Sequence, residues 1–423
     1  MIKIYNYNEI TKDDIFSRKE DKTDVSAIVS DIIADVRENG DSALFKYCAR
    51  FDNAVLSSLE VSDEEMEEAL LKTDPKMIEI LTEAKENIEH FHKHQIRNSF
   101  IVNDKPGIVM GQKVIPIEKV GLYVPGGTAA YPSSVLMNCI PAKLAGVKEI
   151  IMVTPPTGGS INHNILAAAH IAGVDRVFKI GGAQAVAALS YGTKSVPVVD
   201  KIVGPGNAFV AEAKRQVFGR VAIDMIAGPS EILVIADGTN NPSHIAADLL
   251  SQAEHDKNAS AVLVTDNMDF AKAVQAETDR LCALLPRKDI AEASIEANGK
   301  IIVTDSIENA VAVANEIAPE HLEICVDNPF DYLDMVKNAG SVFMGKNCPE
   351  ALGDYMAGPN HTLPTSGTAR FSSPLSVDDF VKKTQYTYFT KSAFSSVADK
   401  VAYFAESEGL SAHARSATIR KDK

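Results

Sequence analysis

Apolar residues recur at spacings of three and four in the first hundred positions, a pattern typical of helices with one buried face. The stretch from Val25 to Glu38 shows this period, and Gly40 follows it as a stop signal. A second helix is predicted to begin after Ser62, whose side chain can cap the acidic first turn. A third helix is predicted to begin near Pro75 and to end near His94. The N-terminal region is therefore predicted to be mainly helical.

Beyond about Val114 short apolar runs alternate with longer amphipathic stretches. The largely apolar runs Glu149–Val153 and Glu231–Ala236 are typical of strands in a parallel sheet that is covered on both faces. This alternation of strands and helices predicts an α/β fold built from two similar modules. After about Ser372 the chain becomes helical and polar again and ends in a basic stretch.

These changes in pattern divide the chain into four predicted regions. Residues 1–110 form an N-terminal, mainly helical region, and residues 372–423 form a helical tail. The two α/β modules between them are predicted to span residues 111–227 and 228–371.

Composition and charge exclude several classes of protein. The 423 residues include 42 Lys and Arg against 57 Asp and Glu, a formal net charge of −15, which disfavours nucleic acid and anionic membranes as partners. Hydrophobic residues make up 45% of the chain and can fill a core, yet no apolar run approaches the ~20 residues of a membrane span. The five cysteines form no C-x-x-C pair, and the N-terminus lacks signal-peptide features. We therefore predict a cytoplasmic protein.

Glycine-rich turns follow several predicted strands, where ligands bind in open α/β sheets. The turns are Pro125-Gly126-Gly127, Gly181-Gly182 and Gly204-Pro205-Gly206-Asn207. Backbone N–H groups beside a helix N-terminus suit a phosphate, but the chain has no G-x-G-x-x-G motif. Taken alone, these glycines favour plain turns over nucleotide binding.

The predicted helix from Asn241 to about His255 carries two pairs of polar residues. Gln252 and His255 are three positions apart and share a face, so an amide oxygen and a ring nitrogen could bind one metal ion. His244 and Asp248 lie on nearly the same face, and spacing does not select between the two pairs. A solvated polar face is the more common explanation of such a helix.

Three further segments place titratable residues in loops or at helix ends. Glu320 and His321 follow a proline that ends a helix, and such a pair can exchange protons near neutral pH. Because the two are adjacent in an extended segment, their side chains are expected to point apart. Asp354 and His361 share a loop rich in Gly and Pro, and the tail adds His413. Each segment alone is more typical of a surface pair, a turn or a helix cap.

Together and in this order, the segments resemble the histidinol dehydrogenase family over nearly the whole chain. The motifs that carry the resemblance are Gly40-Asp41-Ser42-Ala43-Leu44, Gly121-Leu122-Tyr123-Val124-Pro125-Gly126-Gly127, Gly182-Ala183-Gln184-Ala185, Lys201-Ile202-Val203-Gly204-Pro205-Gly206-Asn207, Ala227-Gly228-Pro229-Ser230-Glu231, Ser251-Gln252-Ala253-Glu254-His255, Ala318-Pro319-Glu320-His321-Leu322, Asn360-His361-Thr362-Leu363-Pro364-Thr365 and Glu408-Gly409-Leu410-Ser411-Ala412-His413.

The resemblance implies a site that combines one zinc ion per subunit, an amino-alcohol substrate and NAD. The implied zinc ligands are Gln252, His255, Asp354 and His413. The implied acid–base pair is Glu320 and His321. The implied substrate contacts are Ser230, His361 and Glu408, together with the four zinc ligands and His321. The implied NAD contacts are Tyr123, Gln184 and Asn207.

The same resemblance implies a fold and an assembly. The two modules would be Rossmann-like domains, each with an incomplete parallel sheet and without the usual dinucleotide fingerprint. The protein would be a homodimer whose helical tail reaches the partner subunit, so that His413 and Glu408 complete the neighbour's site.

The implied reaction is the oxidation of L-histidinol to L-histidine through L-histidinal with reduction of two NAD+, the last step of histidine biosynthesis. Zinc suits the imidazole and amine nitrogens of this substrate, His321 would take the alcohol proton, and Glu320 would help water add to the aldehyde. Three alternatives stay open. They are a related zinc- and NAD-dependent dehydrogenase for another small amino or sulfonated alcohol, a zinc hydrolase with Glu320 as base, and a zinc-stabilised scaffold.

Overall fold

The computed structural model describes residues 1–16, 24–126 and 130–421. Within these ranges the strands form two parallel sheets and one antiparallel sheet. The chain divides into two compact units, of which the first comprises Met1–Gln95 and Ile117–Phe380 and the second comprises Ile96–Pro116 and Val381–Lys423. Both parallel sheets belong to the first unit.

The first parallel sheet has five described strands, and its inner strands are almost fully buried. In spatial order they are β6 (Arg176–Phe178), β5 (Glu149–Val153), β4 (Lys119–Tyr123), β7 (Lys201–Val203) and β8 (Ala222–Ile223). Because both faces are covered by helices, these strands have continuous apolar sequences instead of alternating ones.

The second parallel sheet has six described strands and takes one of them from the start of the chain. In spatial order they are β1 (Lys3–Asn6), β11 (Lys300–Val303), β10 (Ser260–Thr265), β9 (Glu231–Ala236), β12 (His321–Cys325) and β13 (Ser341–Met344). Strands β9 and β12 are neighbours, with His321 opposite Ile232.

Fifteen α-helices belong to the described part of the first unit. They are α1 (Lys12–Phe16), α2 (Ser26–Asn39), α3 (Asp41–Phe51), α4 (Asp63–Lys72), α5 (Pro75–His92), α6 (Pro132–Ala145), α7 (His163–Ala172), α8 (Gly182–Tyr191), α9 (Ala208–Val217), α10 (Pro242–Ala253), α11 (Met268–Cys282), α12 (Lys288–Asn298), α13 (Ile307–Ile317), α14 (Phe330–Leu333) and α15 (Glu350–Tyr355). Among the described residues, no helix is both long enough and apolar enough to cross a bilayer.

The second unit contains the antiparallel sheet and the last three described helices. Its strands are β14 (Val381–Phe389), β3 (Ile108–Pro116) and β2 (Phe100–Val102), with β3 in the centre. Its helices are α16 (Lys391–Ser395), α17 (Ala398–Ser407) and α18 (Ser411–Thr418).

The predicted fold class is confirmed: two parallel α/β sheets follow a helical N-terminal region, and the chain ends in helices. The predicted cap at Ser62 is also present, because its Oγ accepts the N–H of Glu65 at 3.2 Å and the Glu65 carboxylate accepts the N–H of Ser62 at 2.9 Å. Six strands were not predicted: β1, β2, β3, β8, β13 and β14. The proposed domain boundaries remain predictions.

A buried ion pair holds the turn after β7 in place. The Lys214 ammonium and the Asp224 carboxylate pair directly, with side chains only 3% and 1% exposed. Lys214 also donates to the carbonyl of Gly204 at 3.0 Å, and Asp224 accepts the N–H of Gly204 at 2.7 Å. Gly204 has a φ of +114°, and an added Cβ would lie 2.0 Å from the carbonyl oxygen of Tyr123. The turn therefore depends on this pair and on a residue without a side chain.

We expect Lys214→Met to lower the free energy of unfolding by about 3–5 kcal/mol, because it leaves the Asp224 carboxylate buried without its cation. The matched control is Lys46→Met, which removes a 2.7 Å pair with Asp35 from a lysine that is 59% exposed. That control is expected to change stability by less than about 1 kcal/mol. Urea unfolding followed by circular dichroism measures both, and equal losses would contradict the assignment.

Candidate active site

A cleft of about 920 Å³ lies in the first unit and collects most of the candidate residues. On one side it is lined by the segments that follow β4 and β7, including Pro125 and Gly204. On the other side it is lined by residues at the start of β9 and β12, including Ser230 and His321. The cleft therefore brings the carboxyl edge of one parallel sheet to the amino edge of the other, whereas ligands of open α/β sheets usually meet carboxyl edges alone.

A main-chain contact fixes the tautomer of His321. Its Nδ1 lies 2.9 Å from the carbonyl oxygen of Glu231, which can only accept, so Nδ1 carries the hydrogen. Burial lowers the pKa of His321 to about 4, although Asp354 opposes this shift. The ring is therefore neutral at pH 7, and its Nε2 has a free lone pair. No described residue forms a hydrogen bond with this buried Nε2.

The ring of His321 is also held by packing. The Phe343 ring is stacked against it, with 6.1 Å between centroids and 28° between planes. Gly353 makes room for that phenyl ring, because an added Cβ would lie 2.3 Å from Phe343 Cε1. The orientation of Nε2 is thus set by both a hydrogen bond and a stacked ring.

Glu320 lies beside His321 and contacts the main chain of the same residue, Glu231. Its Oε2 accepts the N–H of Glu231 at 2.9 Å and lies 3.6 Å from His321 Nδ1. The expectation that the two side chains point apart is therefore wrong, because both turn towards β9. Burial raises the pKa of Glu320 well above its usual value, and the nearby carboxylates raise it further although the hydrogen bond lowers it. Its surroundings therefore favour the neutral carboxylic acid over the carboxylate.

Asp354 and His361 form a second pair of contacts across the cleft. The Oδ1 of Asp354, on α15, lies 3.5 Å from Nδ1 of His361, whose Nε2 lies 3.3 Å from the Ser134 hydroxyl on α6. Burial of Asp354 favours its neutral form, but the hydrogen bond and charge of His361 bring the pKa of Asp354 down to about 2. Asp354 is therefore an anion at neutral pH.

The structure separates the two candidate pairs on α10. Gln252 and His255 both line the cleft, whereas His244 and Asp248 are not among its lining residues. The Asn241 side chain caps α10 by accepting the N–H of Ser243 at 3.0 Å, so the predicted start of this helix is confirmed.

Several atoms in the cleft fit a divalent metal. His321, Glu350 and Asp354 offer ligand atoms that all lie within 4.8 Å of one another. The buried Oε1 of Gln252 makes no hydrogen bond to any described residue, and a metal ion would satisfy it. Imidazole nitrogen and carboxylate or amide oxygen are donors that zinc accepts. The residues present therefore fit zinc, and Asp354 belongs both to this triad and to the ligand set that the resemblance implies.

Glu350 was missed in the sequence, although a signal was available. It lies four positions before Asp354 on α15, so the two share a helix face. Glu350 is 2% exposed and its Oε1 lies 3.9 Å from His321 Nε2. Burial raises the pKa of Glu350 to about 8, and the Asp354 carboxylate adds to the shift.

The residues predicted to contact NAD lie in two places. Asn207 lines the cleft and caps α9, where its Oδ1 accepts the N–H groups of Phe209 and Val210. Tyr123 and Gln184 are buried and do not line the cleft. The Tyr123 hydroxyl accepts the N–H of Gly182 at 3.0 Å at the start of α8. Gly127 of the predicted turn lies outside the described residues.

The remaining predicted residues differ in their surroundings. Ser230 is half-buried and lines the cleft directly before β9. Glu408 and His413 belong to the second unit, at the end of α17 and on α18, and both are exposed. Their roles at a site stay predictions.

Comparison with known proteins agrees with this geometry. Residues 16–421 match the family described as histidinol dehydrogenase. Histidinol dehydrogenase of Clostridium acetobutylicum is 56% identical over 402 residues, covering 95% of this chain and 93% of the relative. The enzyme of Bacillus cereus is 55% identical over 396 residues, covering 94% of this chain and 92% of the relative. The crystal structure of histidinol dehydrogenase from Elizabethkingia anophelis superposes with a TM-score of 0.94 at 39% identity. The match covers 99% of this chain and 98% of that structure.

We expect Glu320→Gln to stabilise the metal-free protein increasingly as pH rises above about 5. The unfolded chain releases this proton near pH 4.5, whereas the folded chain retains it, so wild-type stability falls as pH rises above that value. The gain should be about 1.4 kcal/mol per pH unit until the folded carboxyl ionises.

Urea unfolding in the presence of a chelator measures this gain. The control is Glu68→Gln, because Glu68 is exposed and pairs with Lys72, which lowers its pKa. Its effect should not vary over the same pH range. A pH-independent difference between Glu320→Gln and wild type would show that Glu320 is ionised in the folded state.

Proposed function

The chain belongs to the histidinol dehydrogenase family, and on this premise we propose that it oxidises L-histidinol to L-histidine through L-histidinal. Members of this family are NAD-dependent oxidoreductases that act on a CH–OH group in histidine biosynthesis. The overall change removes four electrons: one alcohol, one water and two NAD+ give one carboxylate, two NADH and three protons. We also propose a cytoplasmic location, in keeping with five cysteines that are all unpaired.

The observation that carries the proposal is the state of His321. Its Nδ1 hydrogen is engaged by the carbonyl of Glu231, and its Nε2 lone pair faces no described hydrogen-bond donor. A neutral, preoriented imidazole of this kind is a general base, and such a base contributes about 10²–10⁴-fold to a rate. The alcohol of histidinol supplies the proton that this base would take.

Zinc would be held by Gln252, His255 and Asp354, with His413 as the fourth ligand. When bound, the metal supplies a Lewis acid that grips the imidazole and amine nitrogens of the substrate. The Asp354 anion and the unsatisfied Gln252 oxygen support this assignment. His255 supports it too, because burial lowers its pKa and leaves the ring neutral, although Asp354 and Glu254 oppose the shift.

NAD would contact Asn207 in the cleft, together with Tyr123 and Gln184. When bound, the cofactor accepts the hydride from the substrate carbon. The Gly204 turn, held by the buried Lys214–Asp224 pair, would keep Asn207 in place as the cap of α9. A rigid turn of this kind would limit the loss of entropy when the cofactor binds.

The substrate would be oriented by groups on both sides of the cleft. Ser230 and His361 would contact its polar groups, with Glu408 as a third contact. His361 is placed for this role by Asp354 and Ser134. Holding the hydroxymethyl carbon in one position removes much of the entropy cost of the reaction.

Protons would move at two neighbouring side chains. His321 Nε2 takes the hydroxyl proton in the first oxidation and again when the hydrate is oxidised. Glu320, whose burial favours the neutral acid, exchanges a proton with the water that adds to the aldehyde carbon. Because His321 Nδ1 and Glu320 Oε2 lie only 3.6 Å apart, both steps take place within one small volume.

The active form would be a homodimer in which the tail of one subunit completes the site of the other. Support comes from the exposure of large apolar side chains on β2 and on α17, including Ile101, Tyr403 and Phe404. A contact with a second copy would cover such residues. No nucleic acid or membrane partner is expected.

The decisive experiment counts NADH formed per histidinol consumed by zinc-loaded protein. We expect a yield near two, with histidine as the product, because the alcohol must lose two hydrides. A yield of one, or turnover of another amino or sulfonated alcohol in preference to histidinol, would favour a related dehydrogenase. Metal-dependent hydrolysis without NADH would favour the hydrolase, and no activity with stable zinc would favour the scaffold.

Two histidine variants separate the base from the metal ligand. His321→Asn should lose about 10²–10⁴-fold in turnover and keep its zinc, because it removes a proton acceptor. His413→Asn should instead lower zinc per subunit, because it removes a ligand. Metal analysis of purified protein measures both. Loss of zinc from His321→Asn would overturn this assignment of roles.

Mixing the same two variants tests the shared site. If the tail completes the partner's site, heterodimers of His321→Asn and His413→Asn subunits contain one intact site and recover part of the activity. The mixture is compared with each variant alone after the same unfolding and refolding. Verified heterodimers without activity would contradict a site that is shared between subunits.

A further inference from the structure

Helix α6 contains an internal proline that leaves one main-chain carbonyl without its helical partner. Pro141 has no N–H, so the carbonyl oxygen of Met137, four residues earlier, cannot make the usual helical hydrogen bond. Met137 is 1% exposed, and Pro141 is buried as well. Leaving a buried carbonyl without a partner is destabilising, so this oxygen needs a donor from another part of the chain.

The donor is the side chain of Asn360. Its Nδ2 donates to Met137 O at 2.6 Å, while its Oδ1 accepts the N–H of Thr362 at 2.8 Å. The Thr362 hydroxyl then donates to Oδ1 of Asn138 on the same helix at 3.1 Å. Asn360 is 4% exposed and Thr362 is 7% exposed. Three buried hydrogen bonds therefore fix residues 360–362, two of them directly to α6.

His361 is the middle residue of this fixed segment. One ring nitrogen lies 3.3 Å from the Ser134 hydroxyl, one turn before Asn138 on α6, and the other lies 3.5 Å from Asp354. Asn360 and Thr362, on either side of His361, are buried, whereas His361 is half-buried and lines the cleft. The position of its ring therefore depends on how its two neighbours are held.

We propose that Asn360 is a positioning residue. Its side-chain amide binds the Met137 carbonyl that Pro141 leaves without a helical partner, and this contact orients His361 towards the substrate. The inference rests on the proposed function, because it takes His361 as a substrate contact. A purely structural role for Asn360 would lower stability without selecting one substrate. A positioning role acts on histidinol through His361 and leaves the interaction with NAD unchanged.

The first test is a double-mutant cycle with His361. Asn360→Ala should raise the KM for histidinol about 10-fold and lower kcat/KM by up to about 100-fold, with the KM for NAD unchanged. In a His361→Asn background the same substitution should have no further effect on the histidinol KM, because the side chain through which Asn360 acts is already absent. Independent, multiplicative effects in the double variant would overturn the proposal.

The second test uses the proline itself. Pro141→Ala restores an N–H that can pair with Met137 O. The rise in histidinol KM caused by Asn360→Ala should therefore be smaller in the Pro141→Ala background than in wild type. An equal rise in histidinol KM in both backgrounds would show that the unpaired Met137 carbonyl is not what holds Asn360.

The matched control is Asn315→Ala. The Asn315 side chain also donates to a main-chain carbonyl, that of Met335, at 2.8 Å, but Asn315 does not line the cleft. Its kcat/KM should equal that of wild type. If Asn360→Ala does not fold by circular dichroism, Asn360→Asp replaces it in both cycles, because it keeps the oxygen that accepts Thr362 N–H and loses the donor.

The outcomes separate this inference from the proposed function. Wild-type protein that forms no NADH from histidinol refutes the proposed function. Wild-type turnover with an unchanged histidinol KM in Asn360→Ala refutes the positioning role alone.

Discussion

The main chain of Glu231 holds both members of the proposed acid–base pair. Its N–H binds Glu320 Oε2 and its carbonyl binds His321 Nδ1, each at 2.9 Å. These contacts follow from the pairing of β9 with β12, which places His321 opposite Ile232. Because a slip of one residue would turn each side chain to the other face of the sheet, the chemistry of the pair depends on sheet register. The free lone pair on His321 Nε2 is thus a consequence of how two buried strands align.

The cleft divides its tasks between the edges of the two parallel sheets. Glycine-rich turns after β4 and β7 bring main-chain groups and small residues to one side, and β9 and β12 begin at the other side with titratable residues. Asp354, His361 and Ser134 connect these sides by contacts of 3.5 and 3.3 Å. Small shifts in α6 would therefore change the geometry around a carboxylate that is well placed to bind metal.

The fold class was predictable because buried parallel strands have unbroken apolar sequences, as in Glu149–Val153. Strand β14 was not, since most of its residues are exposed and no apolar face marks it. At the site, spacing could not choose between Gln252 with His255 and His244 with Asp248, because only tertiary packing places one pair in the cleft. Family resemblance supplied that choice. Glu350 could have been found from the sequence, because it lies four residues before Asp354 on one short helix and so shares a helix face with it.

The second unit is assembled from two segments that are separated by more than half of the chain. Its central strand, β3, is synthesised directly after β2 and long before its longest partner, β14. A two-stranded hairpin is marginal in water. During synthesis the first unit can therefore bury its cores while the edge of β3 that pairs with β14 is still unpaired. This sheet can therefore close only after β14 has been synthesised, whatever the speed of local folding steps.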